Sequence, residues 1–224
     1  LILDEVQAGF ARTGKFFAFE HAGIEPDIIC LGKGLGGGVV PFAALITRDR
    51  FNQAAAISLG HYTHEKSPIG CAAALATIAT IREEGLLAKV QEDGRFMAAE
   101  LAALAERHPL IGQVRGIGLL WALDLVVDHQ SRTRNSRAAE RLLYRCLELG
   151  LSFKVSQGNV IQLSPPLNIA RADLVRAINI LDRALGGTRT HEGMDLVDEQ
   201  HDVAARLDLF EDLLQPFLEI AAVA

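Results

Sequence analysis

The sequence lacks the features that mark several common classes of protein. Lysine and arginine number 22 against 28 aspartate and glutamate residues, which gives a formal net charge of −6 without any basic cluster. Nucleic-acid-binding domains carry such a cluster, so no nucleic acid is expected as a partner. No uninterrupted apolar run reaches the ~18 to 20 residues that a membrane-spanning helix needs, so no membrane is expected either.

Cysteine is scarce and forms no recognisable motif. The three cysteines, Cys30, Cys71 and Cys146, lie in apolar or helical runs and show no C-x-x-C spacing. Such a pattern favours reduced, buried thiols over a disulfide framework. We therefore expect a reducing compartment, by default the cytoplasm.

The sequence also lacks an initiator methionine and any targeting signature, because it opens at Leu1 inside an apolar strand. Its 224 residues, 50% of them hydrophobic, are enough to bury a sizeable core. We expect the chain to be the C-terminal part of a longer protein or a truncated gene product.

What the sequence does contain is two apolar strands, each followed by a residue able to do chemistry. Residues 1–4 end at Asp4, and residues 28–31 lead through Gly32 to Lys33 and more glycines. Taken singly, Asp4 fits a strand-end cap and Lys33 a solvated loop charge. A nucleotide-phosphate loop is another alternative, but there the lysine follows the glycines, whereas Lys33 precedes most of them.

Together, this acid and this amine match what pyridoxal phosphate requires. The pyridine ring withdraws electrons only while its nitrogen is protonated, and a carboxylate such as Asp4 holds that proton in place. A lysine such as Lys33 holds the aldehyde as a Schiff base. Glycines beside Lys33 permit positive φ angles and a close approach of the backbone to the cofactor.

Four segments closely resemble the class III pyridoxal-phosphate aminotransferases. They are LDEVQAGFARTG at residues 3–14, PDIICLGKGLGGG at 26–38, VRGIGL at 114–119 and LSPPL at 163–167. The resemblance covers about residues 1–187. It implies that Asp4 pairs with the pyridine nitrogen, Val6 packs on the ring, Gln7 lies near the ring hydroxyl and Lys33 forms the Schiff base.

The resemblance implies an α/β fold of fold type I. The chain would hold the later part of the large cofactor-binding domain (1–85), a connecting helix and a small α+β C-terminal domain (86–187), and a linker with an amphipathic helix (188–224). That last helix either packs on its own domain or binds a partner. In the family, further cofactor contacts precede the strand at residues 1–4, so this chain alone is expected to be inactive.

Hydrophobic periodicity, caps and turn residues predict the individual elements. Predicted strands are residues 1–4, 28–31, 42–47, 118–127, 151–155 and 159–163, and predicted helices are 68–84, 86–107, 137–149 and one with Leu174, Ile178, Leu181 and Leu185 on one face.

One departure from the family lies in residues 60–68, GHYTHEKSP. Thr63 stands where the family has a threonine that reaches the cofactor phosphate of the neighbouring subunit, which implies a homodimer. The sequence around Thr63 is similar to that of the dialkylglycine decarboxylase branch of the family. His61 and His64 suggest a metal pair, but no third ligand is evident nearby, so no metal is expected.

A second departure is Gln162, which holds the place of a family arginine that grips the α-carboxylate of the substrate. A neutral amide cannot form the two parallel, charge-assisted hydrogen bonds that an arginine makes to a carboxylate. The expected substrate is therefore an amine, an ω-amino acid or a phosphonate-like amino compound. The expected reaction is amino transfer from a small-molecule amino donor to an oxo-acid acceptor. The alternatives are a lyase or decarboxylase of the same family, or an inactive truncated relic.

Overall fold

A three-stranded sheet forms the N-terminal part of the computed structural model, which describes residues 1–51, 53, 54, 56, 57 and 65–187. The central strand β2 (Ile28–Leu31) pairs in parallel with β1 (Ile2–Asp4) and antiparallel with β3 (Ala44–Thr47). Because β1 and β2 are parallel, their carboxyl ends lie at the same edge, where Asp4 stands opposite Cys30.

Two helices follow this sheet. Helix α1 (Pro68–Glu83) begins after Ser67, whose side chain accepts a hydrogen bond from Gly70 N, with Pro68 in the first turn. Gly85 adopts a left-handed conformation (φ 62°) and separates α1 from α2 (Leu86–Arg107). The apolar face of α2 packs on the second sheet through buried residues such as Leu101.

The second sheet is antiparallel throughout and carries the larger core. Its strands are β4 (Ile111–Ile117), β5 (Leu120–Leu125), β6 (Lys154–Ser156) and β7 (Val160–Leu163), in the order β4-β5-β7-β6. Helices α3 (Ser136–Glu148) and α4 (Arg171–Gly187) cover it together with α2.

The predicted α/β and α+β parts are both present, and most element bounds agree within a few residues. The strand predicted over 118–127 is shorter, because Gly118 (φ 58°) and Leu119 form the turn between β4 and β5. The described residues belong to one unit, Leu1–Thr188. The boundary at residue 85 stays a prediction, and the helix predicted within 188–224 lies outside the described residues. No described helix has the length and apolar character needed to cross a membrane.

Asp93 is a buried acid on α2 that is held by two cations. Lys89 donates to one carboxylate oxygen, and Arg171 donates to the other from Nε at 2.9 Å and from a terminal nitrogen at 2.7 Å. Burial raises the pKa of Asp93, but the hydrogen bonds and charges of Lys89 and Arg171 outweigh it and lower the pKa below its usual value. The group ties α2 to the start of α4.

Replacing this acid, Asp93→Asn, is expected to lower the free energy of unfolding by about 2 kcal/mol at pH 7. That is less than for a fully buried pair, because both cations are partly exposed. A lowered pKa in the folded state gives stability that is present above the unfolded pKa of about 3.9 and lost as pH falls below it. Urea denaturation at pH 7, 5 and 3 should therefore show the difference from wild type shrinking only at pH 3.

The matched control is Glu92→Gln, since Glu92 also pairs with Arg171 but its side chain is 71% exposed. It should change the unfolding free energy by less than about 0.5 kcal/mol. Equal effects of the two variants would contradict the buried role of Asp93.

Candidate active site

Lys33 is held by its backbone in an unusual conformation. It has a φ of 45° although it is not glycine, and it begins a 3₁₀ turn, Lys33–Gly36. Leu35 N donates to Gly32 O at 3.0 Å, and the Leu35 side chain is buried. The turn is therefore anchored in the core while the Lys33 side chain stays exposed.

Lys33 lines a cavity of about 930 Å³. One side of the cavity comes from the residues after β1 and β2 and from α1, and the other comes from β6, β7 and residues 164–168. Val6 and Gln7 line it as well, and Val6 also packs against Gly32, where an added Cβ would lie 3.4 Å from a Val6 methyl. The structure thus brings three of the predicted site residues together.

Asp4 is adjacent to this cavity in sequence but does not line it. Its carboxylate oxygen Oδ1 accepts a hydrogen bond from Val6 N at 2.9 Å, and the side chain is exposed. Across the described residues no further hydrogen bond engages this carboxylate, so Oδ2 retains its accepting capacity. Its pairing with a pyridine nitrogen stays a prediction. Thr63, with His61 and His64, lies outside the described residues.

The cavity wall is positively charged. Arg12, Lys33 and Lys154 line it, and no carboxylate does so within the part of the chain that the structure describes. In a chain with a net charge of −6, this local excess favours an anionic occupant.

Arg12 joins the two sides of the cavity. Its guanidinium donates to the carbonyl oxygens of Leu119 and Pro165, and Leu119 N donates to Arg12 O at 3.0 Å. Burial lowers the pKa of Arg12 below its ordinary value, yet an arginine remains charged at neutral pH. Sequence reasoning gave Arg12 no role beyond its place in the motif, because both acceptors are distant in sequence.

Glu5 is a buried acid with a structural role that the sequence reasoning also missed. Its two carboxylate oxygens accept hydrogen bonds from Ala18 N and Phe19 N, each at 2.9 Å. These bonds fix residues 18–21 against the end of β1 and leave Glu5 unavailable to a ligand.

Gln162 faces the cavity from β7, where Lys154 of β6 is its direct cross-strand partner. Ser156 Oγ donates to Gln162 Oε1 at 3.3 Å. Lys154 was not singled out from the sequence. Its position follows from the register across the turn at Gln157 and Gly158, both of which have positive φ.

Comparison with known proteins decides the family. The model of the class-III aminotransferases matches residues 1–185. The chain belongs to this family. This confirms the resemblance to the class III aminotransferases and the fold type I architecture that it implied. The cofactor of the family is pyridoxal 5'-phosphate.

Individual relatives differ in the reaction they catalyse. The chain is 57% identical over 185 residues to (R)-1-hydroxy-2-aminoethylphosphonate ammonia-lyase of Vibrio splendidus (strain 12B01), which covers 83% of this chain and 39% of that protein. It is 40% identical over 191 residues to 4-aminobutyrate aminotransferase of Mycobacterium leprae (strain TN), with 83% and 42% covered. The chain therefore spans about two fifths of the length of these curated relatives.

A solved structure gives the same relationship at the level of the fold. An S-selective transaminase from Arthrobacter sp. with alanine bound superposes with a TM-score of 0.79 at 29% identity, covering 85% of this chain and 44% of that one.

The residues on this cavity fit pyridoxal phosphate in part. Lys33 supplies the amine, the cationic wall suits a phosphate-bearing group, and Val6 supplies an apolar surface. Gly34 adds open space, since the closest atom to a Cβ placed there is 4.0 Å away. Asp4 supplies an acceptor at the strand end beside this set.

The two sides of the cavity meet where Gly118 lies against the backbone of Thr13, a contact that we call the joint. A Cβ added there would lie 2.6 Å from the backbone carbon of Thr13, and its φ is 58°. We expect Gly118→Ala to destabilise the chain by about 3 kcal/mol, which combines the left-handed strain of a non-glycine residue with overpacking against backbone. Thermal and urea denaturation measure this.

Gly23→Ala is the matched control for backbone strain alone, because Gly23 has a φ of 62° and nothing lies within 4 Å of an added Cβ. It should cost about 1 kcal/mol. If Gly118→Ala cost no more than Gly23→Ala, the close approach would not constrain the fold.

Proposed function

We propose that this chain carries the lysine-bearing part of a pyridoxal-phosphate enzyme that releases ammonia from a hydroxylated aminoalkyl phosphonate. The observation that carries the proposal is the 57% identity to the Vibrio splendidus ammonia-lyase, against 40% for the 4-aminobutyrate aminotransferase. Gln162 supports it, because an amide in place of an arginine lacks the charged, paired donors that favour binding of an α-carboxylate.

In this proposal each site residue has one task. The bound cofactor would supply an electron sink at the amine-bearing carbon. Asp4 would accept a hydrogen bond from the ring nitrogen and keep it protonated, while Val6 would pack against the ring face and Gln7 would lie near the ring hydroxyl. Lys33 would hold the cofactor and then carry a proton at the amine-bearing carbon as general base and acid.

Ammonia release needs no acceptor if the substrate carries its own leaving group. Lys33 takes a proton from the amine-bearing carbon, the hydroxyl on the neighbouring carbon leaves with a proton as water, and a water molecule later hydrolyses the carbon–nitrogen bond. The water lost and the water used cancel. The balance is therefore one aminoalcohol giving one aldehyde and one ammonia, with no oxidant or reductant.

Amino transfer to an oxo-acid is the second candidate function. It is favoured by the similarity to the 4-aminobutyrate aminotransferase and to the Arthrobacter transaminase. Because the proton transfer by Lys33 is common to both reactions, the products distinguish them. Ammonia formed without any oxo-acid supports the lyase, and ammonia-free turnover that requires an oxo-acid supports transfer.

The assembly and location of the full gene product belong to the proposal as well. We propose a cytoplasmic homodimer, on the family resemblance around Thr63 and the lack of C-x-x-C spacing among the cysteines. The expectation that all three thiols are buried was wrong, because Cys146 is buried but Cys30 is half-buried and Cys71 is exposed. A strictly monomeric full gene product, measured by light scattering, would contradict the assignment of Thr63 to a neighbouring subunit.

Lys33→Ala in the full gene product that contains these residues is expected to abolish the visible absorbance band of lysine-bound cofactor. It should also reduce ammonia release from (R)-1-hydroxy-2-aminoethylphosphonate by about 10³-fold, the scale of a lost general acid and base. Lys15→Ala is the control, since Lys15 is exposed and does not line the cavity. A wild-type protein without the band would favour the inactive relic.

A further inference from the structure

The cavity contains a cation whose role the reaction leaves unassigned. Among the three lining cations, Arg12 is engaged by two carbonyl oxygens and Lys33 is needed for the cofactor. Lys154 remains, and no described carboxylate lies within ion-pair distance of it. A lysine on a cavity wall without a counter-charge is a site for an anion.

Lys154 stands beside the amide that replaced the family arginine. The two residues are direct partners in the β6–β7 ladder, so their side chains project from the same face with Cβ atoms ~5 Å apart. The opposite face of β7 is buried in the core through Ile161 and Leu163. The Lys154 and Gln162 side chains are thereby directed to the cavity that both of them line.

Ser156 orients the Gln162 amide. Since Ser156 Oγ donates to Gln162 Oε1, the amide oxygen is directed to Ser156 and the Gln162 NH₂ group remains to donate. An ammonium and an amide NH₂ on one wall form a donor pair with a single positive charge.

We propose that Lys154 and Gln162 together bind the phosphonate group of the substrate, in place of the arginine that binds a carboxylate elsewhere in the family. This inference rests on the proposed function, and it assigns the substrate-binding residues of that site. The Lys154 ammonium supplies a positive charge and the Gln162 amide supplies a second donor, and the three oxygens of a phosphonate are able to accept from both.

The test separates anion binding from catalysis by using ethylphosphonate, which has no amine and does not react. Binding to the cofactor-loaded full gene product is measured by calorimetry. Lys154→Met should weaken binding about 10- to 100-fold, the scale of a lost charged hydrogen bond. Lys154→Arg should restore it to within about threefold, because the charge is retained. Thermal midpoints of both variants, matched to wild type, show that they are folded.

Lys15→Met is the control for net charge, because it removes the same charge from an exposed position that does not line the cavity. Its ethylphosphonate affinity should match that of wild type. Wild-type protein that does not bind ethylphosphonate, or Lys154→Met that binds it normally, overturns the inference.

The phosphate of the cofactor is the alternative anion for Lys154, and a second titration distinguishes the two. Pyridoxal phosphate affinity, followed by absorbance, should be unchanged in Lys154→Met. A tenfold loss of cofactor affinity with normal ethylphosphonate binding assigns Lys154 to the cofactor and overturns the inference. Lys154-dependent ethylphosphonate binding in a protein that releases no ammonia supports the inference and overturns the proposed function.

Discussion

The close approach of three backbone segments determines the geometry of the site. Gly94 of α2 and Thr13 both lie against Gly118, where a Cβ on either glycine would fall within 2.8 Å of a backbone atom. Arg12 adds hydrogen bonds from the same segment to Leu119 and Pro165. Because interiors are close-packed and resist deformation, this joint fixes the Lys33 side of the cavity relative to the β6–β7 side.

The charge of the cavity follows from where the acids of the chain are used. Asp93 binds Lys89 and Arg171, Asp124 binds Arg115, and Glu5 accepts two backbone hydrogen bonds. These carboxylates stabilise the fold away from the cavity wall. The cavity wall is left cationic although the chain as a whole is acidic. Its preference for an anion therefore results from the positions of the charged side chains and not from the overall composition.

Local signals in the sequence were sufficient for most elements and for part of the site. Ser67 and Pro68 predicted the start of α1, and the two apolar runs predicted that Asp4 and Lys33 follow neighbouring strands, which pair in parallel. Lys154 was not predictable in this way, because β6 has three residues and its pairing with Gln162 depends on the register of a turn. Arg12 likewise depends on acceptors at least 107 residues away, and Asp93 depends on Arg171, 78 residues away, as well as on nearby Lys89. Periodicity does not encode the distant partners.

The strained backbone at Lys33 is explained by the conflict between two requirements. A left-handed position favours glycine, but the predicted chemistry needs an amine there. Buried Leu35 and the hydrogen bond from Leu35 N to Gly32 O hold the turn, which is how such strain persists at functional sites. Since the backbone fixes the Lys33 Cα, its side chain needs no hydrogen-bond partner for placement. In the proposed function, this leaves the amine able both to bind the cofactor and to release it.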